Sequence, residues 1–122
     1  MRINHLNLVV NDVQKTTVFF ETYFDFQCKV VKGDNIIAVL QNPDKFSLVI
    51  MQSKTGDTDY PKDFHIGFML DSPDEVDDLH RKLLSGKNKI DQFPKNIRNS
   101  YGFYFYFDNL FIEIGHHFAE AK

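Results

Sequence analysis

Only one cysteine, Cys28, stands among the 122 residues, so no disulfide can close within the chain. An intracellular, cytoplasmic protein is expected. Runs of Lys or Arg are missing, and the formal net charge is −3, which argues against nucleic acid as a partner. No apolar run approaches the roughly 18 residues needed to span a bilayer. The opening Met-Arg-Ile-Asn-His reaches Asn4 and His5 too early for the core of a signal peptide. Neither membrane nor export is therefore expected. What the chain has in quantity is aromatic residues, 15% in all, with 13 Phe. That load suits a core or the lining of a pocket in a chain of ordinary domain length.

The chain repeats itself. HLNLVVNDVQKTTVFFETYFDF, from His5, lies over HIGFMLDSPDEVDDLHRKLLSG, from His65, at an offset of 60 residues without a gap. In each copy a His opens a short apolar run, followed by a polar turn and a helical pattern. Asp12 is placed to cap the first helix, whose apolar face runs Val13, Thr17, Phe20, Phe24, widened by Phe19 and Tyr23. Ser72-Pro73-Asp74-Glu75 reads as a capping box with Pro at the first helical position. Val76, Leu79, Leu83 and Leu84 form the second stripe, and Gly86 is a stop signal. Strand patterns follow: Gln27–Lys32, Asn35–Gln41 and Phe46–Gln52 in the first copy; Lys89–Phe93, Gly102–Phe107 and Leu110–His116 in the second. Gly33-Asp34, Asn42-Pro43-Asp44 and Asp108-Asn109 supply turns.

A second alignment places DKFSLVI (44–50) over DNLFIEI (108–114), with both strands alternating in phase. The expected fold is α+β, with two tandem βαβββ modules. These form an open, barrel-like, eight-stranded mixed sheet around one pocket, helices outside. One domain, 1–122, is expected, with module one at 1–52, a polar linker at 53–63 and module two at 64–118.

Strand parity then sorts the side chains. Each helix needs a sheet face to cover its apolar stripe. Leu6, Leu8 and Val10, with Ile66, Phe68 and Leu70, form the apolar sets, so His5, Asn7, Val9 and His65, Gly67, Met69 point the other way. In the last strand, Glu113 is the residue out of step between Ile112 and Ile114. A mid-strand carboxylate is costly to bury unless it is paired or ligates a metal. Two neutral imidazoles and a carboxylate suit open-site Fe(II) or Mn(II), and Zn(II) with water also fits. The expected ligands are His5, His65 and Glu113. Asn7, Ser47, Val49, Met51, Met69, Tyr104 and Phe111 are the expected pocket lining.

The opening HLNLVVNDVQKTTVFFETYFDF, the second His on the fifth strand and the Glu of DNLFIEI resemble the vicinal oxygen chelate superfamily over residues 1–117. That group includes glyoxalase, extradiol dioxygenases, fosfomycin-resistance enzymes and bleomycin-resistance proteins. The resemblance implies metal ligands on the first, fourth, fifth and eighth strands, here His5, Val49, His65 and Glu113. Val49 carries no donor, which brings the pattern closer to the fosfomycin and dioxygenase branches than to a four-ligand glyoxalase site. Tyr104 resembles a pocket Tyr of the fosfomycin branch, with Lys95 and Arg98 nearby but out of register. The turn at Phe107-Asp108-Asn109 lacks the family's usual Gly.

The resemblance implies one divalent metal (Mn, Fe, Zn or Ni), a small oxygen-rich or electrophilic organic substrate, and a homodimer. Isomerisation, thiol addition and ring cleavage all remain open as reactions. The competing expectation is a metal-free protein that sequesters a small molecule or antibiotic, as bleomycin-resistance relatives do. Of the remaining features, His80 reads as a surface residue and His116-His117 as a solvated end. Cys28 reads as inert. The acidic run Asp71, Asp74, Glu75, Asp77, Asp78 reads as helix-dipole compensation.

Overall fold

The order of elements follows from where the apolar period changes. The computed structural model describes residues 1–119. β1 (His5–Val10), α1 (Val13–Tyr23), β2 (Gln27–Lys32), β3 (Ile37–Gln41) and β4 (Ser47–Gln52) make the first βαβββ set. β5 (Ile66–Met69), α2 (Pro73–Ser85), β6 (Lys95–Ile97), β7 (Ser100–Phe107) and β8 (Leu110–His117) make the second. The chain divides into two compact units, Met1–Asp59 and a second that opens at Tyr60.

The architecture is α+β, and the eight strands form two four-stranded mixed sheets, one per unit. Their orders are β1-β4-β3-β2 and β5-β8-β7-β6. The first strand of each unit pairs in parallel with its last, and the other pairs are antiparallel. Such a parallel pair needs a long crossover, which the helix supplies. In the first unit Leu8, Val10, Leu40, Leu48 and Ile50 are buried beneath Val13, Phe19 and Phe20 of α1. In the second, Phe103, Phe105, Leu110, Ile112 and Ile114 are buried beneath Val76 and Leu83 of α2. In both sheets the helix covers the apolar set that parity selects.

Both caps form as the side chains dictate. Asp12 Oδ1 accepts from the Lys15 amide at 3.0 Å, and Ser72 Oγ accepts from the Glu75 amide at 3.2 Å. Glu75 reaches back to the amide of Asp71 at 2.8 Å, one residue before the cap. The stop of α2 differs from expectation. Gly86 keeps a negative φ of −79°, and the left-handed residue is Lys87 (φ 63°), whose amide donates to the Leu84 carbonyl.

Four expectations need correction. The sixth strand lies at Lys95–Ile97, not Lys89–Phe93. Pro94, lacking an N–H, closes the earlier stretch. Gln92 there is held by side-chain bonds: its carbonyl accepts from His80 Nε2 at 3.0 Å, and its Oε1 accepts from the Tyr104 amide at 3.2 Å. His80 is not a surface residue; it is 5% exposed and packs edge-on against Phe103 at 4.9 Å. It takes the stripe position given to Leu84, which is 41% exposed. His116 and His117 belong to β8, and His116 Nδ1 donates to the Leu70 carbonyl at 2.8 Å.

Candidate metal centre

Parity places His65, Gly67 and Met69 on the face of the second sheet that α2 leaves open. The register sets Gly67 beside Glu113 across the parallel β5–β8 pair, and Tyr104 beside Glu113 across β7–β8. A Cβ at Gly67 would stand 3.4 Å from Glu113 Oε1, which places the carboxylate directly over the glycine. His65 Nε2 lies 3.3 Å from Glu113 Oε1, and its ring meets Tyr104 and Phe111 edge-on at 5.6 and 6.1 Å. Tyr104 stacks on Phe111 at 5.3 Å, and Phe111 on Tyr106 at 4.6 Å. A cleft of about 360 Å³ opens between this aromatic shelf and the segment carrying Lys89, Asp91 and Gln92.

Hydrogen bonding fixes how His65 presents its ring. Nδ1 lies 3.0 Å from the Asp63 carbonyl oxygen, which can only accept, so Nδ1 carries the proton. Nε2 then faces the carboxylate in one of two ways. It bears a second proton and forms an ion pair, or it turns a lone pair toward Glu113. The second arrangement sets two electron-rich atoms against each other and calls for a cation. Two donors each about 2.1 Å from one metal stand roughly 3.0–3.4 Å apart at octahedral or tetrahedral angles, and the observed spacing lies in that range. The donor set therefore fits a divalent ion.

The first unit presents the repeat-equivalent face. His5 lies opposite Ser47, Asn7 opposite Val49 and Val9 opposite Met51 in the parallel β1–β4 pair. Asn7 Nδ2 donates to Met51 Sδ at 3.1 Å. Val49 stands where the second unit has Glu113, so this sheet offers His5 alone as a metal donor at the repeat-equivalent positions. His5 Nδ1 lies 2.7 Å from Asn4 Oδ1. Among the described residues, no three His, Cys, Asp or Glu side chains group closely enough to hold a metal. The structure thus brings together His65, Glu113, Tyr104 and Phe111 in the second unit. His5, Asn7, Ser47, Val49 and Met51 share a face in the first. Sequence reasoning missed the oxygens behind the imidazoles; Asn4 was signalled by a polar side chain directly before His5, whereas the Asp63 carbonyl is backbone and no residue type announces it.

Two perturbed groups lie on β7. Burial, then the charge of Glu113 and a hydrogen bond to it, hold the Tyr104 phenol above its ordinary value of 10.0. Tyr101 is also raised, chiefly by donating to Asp77 Oδ1 at 2.6 Å. The sign for Tyr104 follows from linkage. The folded chain holds this proton more tightly than the unfolded one, so the stabilisation is full below about pH 10 and fades as pH rises through the folded value. An ultraviolet phenolate titration should show the transition that Tyr104→Phe removes displaced upward. Glu113→Gln should bring it part of the way down, because burial remains. An unmoved transition in Glu113→Gln would count against the pairing. On the first unit, burial and the Glu21 carboxylate raise the Cys28 thiol above its ordinary 9.0, which disfavours the thiolate.

Tandem βαβββ units, each keeping one sheet face for its helix and one for polar groups, define a duplicated scaffold with a histidine opening both copies. The chain belongs to the Glyoxalase/Bleomycin resistance protein/Dioxygenase superfamily, whose family model matches residues 2–111. A possible glyoxalase from Bacillus cereus is 36% identical, with a TM-score of 0.83 over 93% of this chain and 97% of that one. The genomically encoded fosfomycin resistance protein FosX of Listeria monocytogenes is 22% identical, with a TM-score of 0.71 over 98% and 91%. Lactoylglutathione lyase from Agrobacterium tumefaciens is 16% identical, with a TM-score of 0.74 over 94% and 92%. No protein of curated function matches the chain significantly. Among the described residues, no helix is long and apolar enough to cross a membrane.

Proposed function

We propose that His5, His65 and Glu113 together hold one divalent metal, Mn, Fe, Zn or Ni, and that the protein acts on a small oxygen-rich or electrophilic organic molecule. The observation that carries this reading is the His65–Glu113 pair, at 3.3 Å with the far nitrogen of the ring tied to a carbonyl. The FosX variant solved with Mn(II) and 1S,2S-dihydroxypropylphosphonic acid supports metal and small-molecule binding on this scaffold. When bound, such an ion supplies a Lewis acid to substrate oxygens.

The chain's own residues do the rest. Tyr104, kept protonated at neutral pH, donates beside Glu113 and holds its carboxylate in place. In this reading Phe111 and Met69 of the second unit and Val49 and Met51 of the first are the apolar lining offered to the ligand, and Asn7 and Ser47 the polar contacts. Isomerisation, thiol addition and ring cleavage are all compatible with this set. A cytoplasmic homodimer is the form we propose, its contacts drawn from the aromatic-rich strands.

One observation favours a second reading. His65 and Glu113 lie close enough to satisfy each other as an ion pair without a metal, as the metal-free sequestering reading needs. Elemental analysis of untagged protein purified without chelator, beside Glu113→Gln, separates the two. Stoichiometric metal in the wild type and its loss in the variant are expected. No uptake by either protein after soaking with Mn, Fe, Zn and Ni would sink the metalloprotein reading in favour of the second.

A further inference from the structure

The two candidate histidines share a feature that their strand positions do not require. Each has Nδ1 against an oxygen that can only accept, supplied from just before it in the chain. For His65 this is the backbone carbonyl of Asp63 at 3.0 Å; for His5 it is the side-chain Oδ1 of Asn4 at 2.7 Å. A neutral imidazole carries one proton, and the bond made by one nitrogen decides the state of the other. When neutral, both rings are therefore committed to Nδ1–H, with Nε2 left as a lone-pair donor. In the second unit backbone geometry makes this commitment. In the first it rests on one replaceable side chain.

Asn4 is itself anchored. Its carbonyl accepts from the Ser47 amide at 2.9 Å, extending the β1–β4 ladder by one bond, so the residue leads into His5 from a fixed backbone. His5 and Asn4 are both exposed. Water competes for an exposed imidazole, and a ring without a fixed acceptor distributes its proton over both nitrogens. We infer that Asn4 is a positioning residue that locks His5 in the Nδ1–H tautomer and turns Nε2 out as the donor, the role the Asp63 carbonyl plays for His65. The inference rests on the metal reading above for its purpose, but the tautomer exists without metal and is measured without it.

The test uses the full chain, as wild type, Asn4→Ala and Asn4→Asp. Long-range proton–nitrogen correlation spectra of the metal-free proteins, at alkaline pH where imidazole is neutral, report which nitrogen of His5 bears the proton. Wild type and Asn4→Asp should show Nδ1–H, because a carboxylate also accepts. Asn4→Ala should lose that preference while His65 keeps it. Zn(II) affinity, read by competition with a chromophoric chelator, should fall about 10- to 100-fold in Asn4→Ala and be retained in Asn4→Asp. A wild-type His5 protonated at Nε2 overturns the inference, as does an Asn4→Ala spectrum unchanged from wild type. If the tautomers behave as stated but none of the proteins takes up metal, the positioning role stands and the proposed function fails.

Discussion

Replacing Gly102 with alanine is expected to lower stability by about 3 kcal/mol or more, at the upper end of what overpacking does. Gly102 is buried in β7 between Lys95 of β6 and Gly115 of β8. A Cβ there would lie 2.1 Å from the Ile114 carbonyl oxygen and 2.8 Å from the Cα of Gly115. Both atoms belong to the neighbouring backbone, so no side chain can swing aside. The strands must part where the ladder carries Tyr104 to Glu113 two residues further on. Against a total of about 5–15 kcal/mol for a folded domain, this is a large share. Urea unfolding of the wild type and Gly102→Ala reads it directly, and a midpoint unchanged in the variant would refute the clash.

Phe103→Ala should destabilise by about 3–5 kcal/mol, the range for emptying an aromatic site in a core. Phe103 is completely buried, meets the edge of His80 and stacks on Phe105 at 5.9 Å. Its removal takes away apolar burial and the ring that covers one side of a buried imidazole. His80 also fixes Gln92, whose side chain holds the Tyr104 amide. The cavity thus opens beneath the segment lining the cleft. Phe103→Leu, which keeps most of the volume, should lose about 1 kcal/mol. Equal unfolding midpoints for the two variants would show that volume is not what matters there.

The fold was legible because duplication tests itself. Two alignments and two parities agree on which face each strand turns inward, and the buried sets Leu8/Val10 and Ile112/Ile114 follow them. The pair His65 and Glu113 was legible for the same reason, since a carboxylate out of phase between two isoleucines has few explanations. Elsewhere the local signal competed with tertiary contacts. Lys89–Phe93 has strand-like residues, but the carbonyl and side chain of Gln92 are taken by His80 and the Tyr104 amide rather than by a ladder. His80 sits on the apolar stripe by spacing, yet its polarity argued for the surface; a partner twelve residues away decides the matter. Asn4 gave no periodic signal at all. Its relevance comes from a contact with its neighbour, which a pattern of faces does not encode.

The period of two along these strands has an evolutionary consequence. Residues that hold the sheets to their helices and residues that could do chemistry alternate, so adjacent positions answer to different selective pressures. Changes at Asn7, Val49, Met69 or Phe111 leave Leu8, Leu48, Phe68 and Ile112 untouched. A lineage could gain or lose a carboxylate on the open face, as Val49 illustrates at the position that repeats as Glu113, in a single step that the core does not register. Such a scaffold drifts between chemistries without passing through an unfolded intermediate sequence, which is one physical route by which a single architecture comes to serve many reactions.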